Sequence, residues 1–274
     1  MHYKVINTGS DGNAVLINGE ILIDCGVSFK KIEPYYKNIK LVLLTHIHGD
    51  HFNKTTIKKL TQLRPTLRIG CCEWLKQELL ELGVNIKNID VYALEKEVNY
   101  PCFCVLTPFK LFHDVQQCGY KLCMNGQKII YATDTKKIDH IEAKNYDVYL
   151  IEANYENEEE LKKRSENNEY FNRVLNTHLS KEKATEWLLN QMGDNSIYEF
   201  MHQHKEKRIA NRFTKIEPLL KKVSEITKSP YQLNDDDIYS AIDELLSHYN
   251  NLYDEHYQMK YNKTEEELYE YGEW

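Results

Sequence analysis

The chain has 274 residues, of which 42% are hydrophobic and 28% charged, and its formal net charge is −7. This length suits one large domain, or a domain with an appendage, and leaves little room for more than two domains. Because the net charge is negative, any nucleic acid must be held locally by metal ions or a small basic patch, which weighs against a broad duplex-binding surface.

The N-terminal stretch MHYKVINTGS has no basic region followed by a long apolar run, and no segment reaches the roughly 18 apolar residues of a membrane span. We therefore expect a cytoplasmic protein without a membrane partner. Seven cysteines are an odd number, which predicts mostly reduced thiols. Cys102 and Cys104 lie two apart in YPCFCVL, and we expect both to pack in the core from one face of a strand.

Short β-type runs come first in the chain, and helical patterns then alternate with further strands. The predicted strands are 3–7, 14–17, 21–24, 41–45, 67–70, 89–93, 103–107, 118–123, 127–132 and 147–152. The predicted helices lie near 28–36, 53–63 and 72–83. This alternation predicts two sheets with helices outside, an α/β layered fold.

The last third of the chain is predicted to be mostly helical. Residues 156–176 form a charged helical stretch, and SKEKATEWLL begins a helix with Ser180 as N-cap. From about residue 206 the chain is rich in tyrosine and acid, so we expect a domain over 1–205 and a helical appendage over 206–274. Its tyrosines would pack across a twofold axis in a homodimer, or fold back as a cap on their own domain. They are Tyr231, Tyr239, Tyr249, Tyr253, Tyr257, Tyr261, Tyr269 and Tyr271.

The stretch LVLLTHIHGDH, residues 41–51, carries the strongest functional signal. An apolar run followed by a polar cluster fits a buried strand that ends at the rim of a sheet. His46 and His48 are two apart and can face one metal, whereas Asp50 and His51 begin the next helix and can face a second.

A metal centre needs further ligands, and polar residues follow four later apolar runs. KLFHD supplies His113, KIIYATD supplies Asp134, RVLNTH supplies His178, and YEFMHQH supplies His202 and His204. Each follows an apolar run, so strand ends could bring them together.

The THIHGDH stretch resembles the HxHxDH signature of the metallo-β-lactamase superfamily. With the histidines and aspartate that follow it, the resemblance extends over roughly residues 1–205. The opening NTGSDGNAVLINGEILIDCGVSFKKIE and the segments HDVQQCGY and THLS resemble YycJ/WalJ-like hydrolases and phage-encoded hydrolases, which include anti-Pycsar enzymes that cleave cyclic nucleotides.

The resemblance implies a four-layer αββα sandwich with a dinuclear metal site at one edge. It assigns His46, His48 and His113 to one ion, Asp50, His51 and His202 to the other, and Asp134 to a bridge between them. The last histidine stays open among His178, His202 and His204, because HQHKEK departs from the family pattern after the later histidine.

Nitrogen and carboxylate ligands suit two divalent ions, with Zn²⁺ favoured and Mn²⁺ as the alternative. Such a pair would lower the pKa of a shared water and clamp the oxygens of an in-line displacement at phosphorus. Asp50 and His178 are the candidate catalytic residues, His178 as general acid, and Glu152 is a candidate to orient it. The glycine-flanked loop TGSDGN makes Ser10, with His178, a candidate substrate contact.

A small cyclic nucleotide needs only the site itself, so we expect a 3′,5′-cyclic-nucleotide phosphodiesterase, in the host cytoplasm if phage-encoded. A YycJ/WalJ-like DNA exonuclease is the alternative, and a basic patch of Lys58, Lys59 and Arg64 would favour it. Thioester or lactam hydrolysis is a third hypothesis, and a non-catalytic binding module is a fourth.

Overall fold

A computed structural model describes residues 2–165 and 167–203 of the chain. It contains two six-stranded mixed sheets with helices on their outer faces, which confirms the predicted α/β fold. The predicted appendage over 206–274, its tyrosines and His204 lie outside the described residues. Within the described part, no helix is both long and apolar enough to cross a membrane.

The first sheet contains the first six strands in chain order. The first three strands pair antiparallel, and the next three pair parallel to the third and to one another. The strands are β1 (Tyr3–Asn7), β2 (Ala14–Ile17), β3 (Ile21–Ile23), β4 (Leu41–Leu43), β5 (Arg68–Cys72) and β6 (Ile89–Tyr92).

The second sheet has the spatial order β12-β11-β10-β9-β8-β7, with β10, β11 and β12 parallel to one another. Its strands are β7 (Val98–Tyr100), β8 (Cys104–Lys110), β9 (Cys118–Met124), β10 (Gln127–Ala132), β11 (Val148–Glu152) and β12 (Ile197–Met201). Because β8 and β10 are both antiparallel to β9, β8 also runs parallel to β10. The carboxyl ends of four strands therefore lie at one edge of this sheet.

The described residues contain six α-helices: α1 (Phe29–Ile32), α2 (Lys54–Leu63), α3 (Glu73–Glu81), α4 (Glu158–Arg164), α5 (Asn168–Thr177) and α6 (Lys181–Gln191). The Ser180 side chain accepts a hydrogen bond from the Lys183 N–H, which confirms its predicted role as N-cap of α6. The charged stretch 156–176 forms two helices rather than one. Ser165 is extended, and Asn167 begins a new helix by accepting from the Tyr170 N–H.

Three buried apolar clusters define the layers. One lies between the sheets and includes Leu43, Tyr120 and Leu150. The second joins α2 and α3 to the first sheet, and the third joins α6 to the second sheet. Helix, sheet, sheet and helix are the four layers of an αββα sandwich.

Three details differ from the sequence prediction. Strands β7 and β12 were not predicted, because neither alternates polar and buried side chains cleanly. The predicted helix near 28–36 ends at Ile32, two residues before Pro34, which has no N–H to continue it. The prediction that Cys102 packs in the core was wrong: it is exposed in a turn with φ 58°, whereas Cys104 is buried in β8.

The backbone at Gly26 packs closely against the backbone at Asp50. Its N–H donates to the Asn13 carbonyl, and a Cβ added to it would lie 1.7 Å from the Asp50 carbonyl oxygen. Only glycine therefore lets this loop pack against the segment that carries Asp50 and His51.

We predict that Gly26→Ala lowers the free energy of unfolding by about 2 kcal/mol or more, because the backbone must shift to relieve the overlap. Gly49→Ala is the matched control, since a Cβ there meets nothing within 4 Å. Thermal unfolding followed by circular dichroism checks both variants. Equal stabilities of the two would contradict this account of Gly26.

Candidate metal centre

Three histidines form the first ligand group of the site: His46, His48 and His113. His46 follows β4 and is buried, and its Nδ1 lies 3.0 Å from the Thr45 hydroxyl, which leaves Nε2 directed to the site. His113 follows β8, and its Nε2 lies 3.3 Å from His48 Nδ1. The sequence-predicted ligands of the first ion therefore converge.

Asp134, which follows β10, joins the first group to the rest of the site. Its Oδ2 lies 2.9 Å from His51 Nε2, and its Oδ1 lies 2.7 Å from His202 Nδ1. Asp134 belongs both to a group with His46 and His51 and to a group with Glu152, His178 and His202. This placement between two ligand groups is the one expected of a bridging carboxylate.

Asp50 lies at the partly exposed margin of the same site. Its Oδ2 is 3.7 Å from His51 Nε2 and 3.5 Å from the Asn13 amide nitrogen. The Asn13 amide nitrogen also lies 2.8 Å from His51 Nε2. The structure thus places Asp50 beside His51, which in turn contacts Asp134.

Buried polar atoms without hydrogen-bond partners test whether a metal fits. In the described part of the chain, three such atoms belong to this site: His46 Nε2, Asp134 Oδ2 and His202 Nδ1. His51 Nε2 lies close to Asp134 Oδ2, and His202 Nδ1 lies close to Asp134 Oδ1. Neither contact has the geometry of a hydrogen bond, so Asp134 Oδ2 and His202 Nδ1 stay unpaired. Burying unpaired polar atoms is costly, and divalent ions would satisfy all three.

The electrostatics of the metal-free protein agree with this fit. Burial lowers the pKa of His46 well below its usual value, and the neighbouring His51 lowers it further. Burial opposes charge on His202, but the Asp134 and Glu152 carboxylates outweigh it and raise its pKa to about 10. Burial alone would raise the pKa of Asp134, yet the charges on His202 and His51 hold it well below the usual range. Metal binding would displace protons from His202, so metal affinity should fall as pH falls.

Three residues at the site have left-handed backbone conformations, which are uncommon outside glycine. They are Asp24 (φ 60°), Asp134 (φ 55°) and His202 (φ 51°). The His202 N–H donates to the Thr8 hydroxyl at 2.8 Å, and Gln117 donates through its amide nitrogen to the Asp134 carbonyl. Backbone strain held by such bonds is typical of functional sites.

His178 and Glu152 form a pair beside Asp134. Glu152 is the last residue of β11 and is fully buried, and its Oε1 lies 2.6 Å from His178 Nδ1. His178 Nδ1 is 3.6 Å from Asp134 Oδ1, farther than the 2.7 Å of His202. The structure therefore places His202 nearer Asp134 and pairs His178 with Glu152, the residue predicted to orient it.

Ser10 is exposed in the loop between β1 and β2. Its loop borders the site through Thr8, which contacts His202, and Asn13, which contacts His51. No contact of Ser10 itself with a site residue appears among the described hydrogen bonds.

Sequence reasoning missed the residue that supports His51. Asp24 follows β3 and is fully buried; its Oδ2 lies 2.6 Å from His51 Nδ1, and its Oδ1 accepts from the Thr45 N–H and hydroxyl. The signal was an aspartate at the end of the apolar run ILID, the same pattern that identified Asp134.

Sequence reasoning also missed Asp114, which directly follows a predicted ligand. Its Oδ1 lies 3.2 Å from His113 Nε2 and 3.4 Å from His48 Nε2. Asp114 is half exposed at the rim of the first ligand group, where it adds negative charge.

Comparison with known proteins agrees with the fold and the site. The chain matches the Beta-lactamase superfamily domain over residues 20–202 and belongs to this family. No curated protein matches the chain. Together with the ligand groups, the match defines a metallo-β-lactamase-fold hydrolase with a candidate metal site, in a superfamily composed mostly of metal-dependent hydrolases.

Three solved structures share the fold. The metallo-β-lactamase fold protein YhfI from Bacillus subtilis is 15% identical, with a TM-score of 0.58 over 73% of this chain and 85% of that one. Human tRNase Z, short form, is 17% identical, with a TM-score of 0.57 over 76% and 94%. Zn²⁺-bound PqqB from Methylobacterium extorquens is 12% identical, with a TM-score of 0.54 over 74% and 89%.

We predict close to two divalent metal ions per chain, and fewer in Asp134→Asn. Asparagine tolerates the left-handed backbone, but its neutral amide cannot neutralise or bridge two cations. Elemental analysis of zinc- or manganese-reconstituted protein measures the change. A ratio of one or none in the parent, or an unchanged ratio in the variant, would contradict the dinuclear assignment.

We predict that Asp24→Asn weakens metal binding about 10- to 100-fold, because the residue that orients a ligating histidine sets its tautomer and basicity. Asp139→Asn is the control, since Asp139 is exposed outside the site. Competition with a metal-binding dye gives the affinities. Equal affinities in the two variants would show that Asp24 only supports the fold.

Proposed function

We propose that the chain is a dinuclear-metal phosphodiesterase, and that 3′,5′-cyclic nucleotides are its substrates. The observation that carries this proposal is the position of Asp134 between two ligand groups, with the His178–Glu152 pair beside it. Two divalent ions bound there would lower the pKa of water and neutralise charge on a phosphoryl group.

The roles of the chain's own residues follow from their contacts. His178 is partly exposed and hydrogen-bonded through Nδ1, so its Nε2 is the atom available to donate a proton to the leaving oxygen. Glu152 fixes the ring orientation of His178, because its second oxygen accepts from the N–H groups of Thr135 and Leu179. His202 would hold one of the two metal ions.

A small substrate is favoured by the charges around the site. The half-exposed Asp114 carboxylate lies at its rim, and the whole chain carries a net charge of −7. Two members of the expected basic patch are engaged: Arg64 donates to the Tyr36 and Lys37 carbonyls, and Lys59 lies over the Phe29 ring. A long polyanion would gain little from such a surface.

Nucleic-acid hydrolysis is the second candidate, because one of the structures with this fold is named a tRNase. A turnover screen separates the two. We expect the zinc- or manganese-loaded protein to convert 3′,5′-cyclic nucleotides to nucleoside monophosphates and to leave single- and double-stranded DNA and RNA intact. Degradation of DNA or RNA without turnover of cyclic nucleotides would favour nucleic-acid hydrolysis over the proposed cyclic-nucleotide phosphodiesterase.

We predict different effects for the two later histidines. His178→Ala should keep both metal ions and lower kcat by about 10²- to 10⁴-fold, as expected for loss of a general acid. His202→Ala should lose metal as well as activity. Metal analysis and kinetics on the same preparations test this, and the reverse pattern would exchange the two roles.

A further inference from the structure

A pocket separate from the candidate metal ligands lies between α6 and the loop that follows Asp134. Its volume is about 520 Å³, within the range of small-molecule sites. The loop residues Lys136 to Asp139 form one wall, α6 forms the opposite wall, and Leu179 lies between them. We call this space the α6 pocket; none of the predicted metal ligands lines it.

The lining of the α6 pocket combines cationic, acidic and apolar groups. Its charged lining consists of three lysines, Lys136, Lys137 and Lys183, and two acids, Asp139 and Glu186. Lys183 also pairs with Glu158 at 3.4 Å, whereas Lys136 and Lys137 belong to the loop wall. The apolar part of the lining is supplied by Ile138, Leu179 and Trp187.

Gln191 supplies a side-chain amide donor at the α6 pocket. Its side chain is 9% exposed, and its Oε1 accepts from the Ala143 N–H at 2.8 Å, which fixes the orientation of the amide. Its Nε2 makes no hydrogen bond to any residue in the described ranges. The amide nitrogen is therefore free to donate to water or to a ligand in the pocket.

These groups match the parts of one class of molecule, and we propose that the α6 pocket binds a nucleoside monophosphate. The lysines pair with the phosphate, and the Asp139 and Glu186 carboxylates accept from ribose hydroxyls. The base lies against the apolar surface that includes Trp187, and the Gln191 amide donates to its edge.

The α6 pocket is connected to the candidate active site through Glu152. One Glu152 oxygen accepts from the N–H of Leu179, which lines the pocket, and of Thr135, which precedes the lysine wall. The other oxygen holds His178. A ligand that shifts either wall would shift His178, so the bound nucleotide regulates turnover; this second step rests on the proposed function, whereas binding does not.

Tryptophan fluorescence tests binding without any turnover. Trp187 lines the α6 pocket, whereas the indole of Trp74 donates to the Thr45 carbonyl beside the metal site. In Trp74→Phe/Trp274→Phe protein, Trp187 is the remaining tryptophan; in Trp187→Phe/Trp274→Phe protein, Trp74 is the remaining one. We expect 5′-AMP to give a saturable change in the Trp187 protein, and adenosine and inorganic phosphate each to bind more weakly.

Charge reversal supplies the matched comparison. Lys136→Glu/Lys183→Glu should weaken 5′-AMP binding about tenfold or more, because each lysine loses a charge-assisted contact. Lys87→Glu, an exposed lysine outside the pocket, should leave it unchanged. Calorimetric titration of the chain with all its tryptophans gives the same comparison if a tryptophan variant fails to fold.

Three results would overturn the proposal: no saturable binding of 5′-AMP up to about 10 mM, well beyond a weak millimolar site; a response confined to Trp74; or equal losses in the lysine pair and Lys87→Glu. A response confined to Trp74 would leave the proposed phosphodiesterase intact. Conversely, saturable binding at Trp187 in a protein that hydrolyses no cyclic nucleotide would keep the pocket and overturn the proposed function.

Discussion

The buried carboxylate of Asp134 is the group on which the site depends. Its two oxygens approach His51 and His202, which lie far apart in the sequence, at 2.9 and 2.7 Å. Burying an uncompensated carboxylate is costly, so those positive partners must be present or be replaced by metal cations. The left-handed backbone at Asp134 is held by Gln117 and by the contact of Glu152 with the next residue.

Two other buried carboxylates extend the same arrangement. Asp24 holds Thr45 and His51, and it accepts from the Tyr131 hydroxyl of the second sheet at 3.0 Å, so it connects the two sheets behind the site. Glu152 connects the loop after β10, the start of α6 and His178. Each carboxylate joins segments far apart in sequence, which explains how strand ends become one reaction centre. The same connections relate the α6 pocket to His178.

The sequence predicted much of this centre, because its ligands follow apolar strands and the carboxyl ends of parallel strands meet at one edge. His113, Asp134 and His202 were identified in that way, whereas His46, His48 and His51 were identified from the THIHGDH stretch. Asp24 also follows an apolar run, but it was overlooked because nothing in the sequence indicates that it contacts His51, 27 residues further along the chain. Strand β12 was not predicted as a strand, although its last residues were recognised as the apolar run before His202, because its first residues, Ile197 and Tyr198, are exposed at the edge of the sheet. The pairing of His178 with Glu152 could not be read from the sequence, because both later histidines follow apolar runs and only the folded chain gives the distances.

The central claim is that Asp134 joins two metal ions held by separate histidine groups. Anomalous X-ray diffraction from crystals of the zinc- or manganese-loaded protein, recorded at the absorption edge of that metal, tests it most directly. The account predicts two anomalous peaks, one beside His46, His48 and His113 and one beside Asp50, His51 and His202, with the Asp134 carboxylate between them. A single peak, or two peaks with His178 in place of His202, would contradict it.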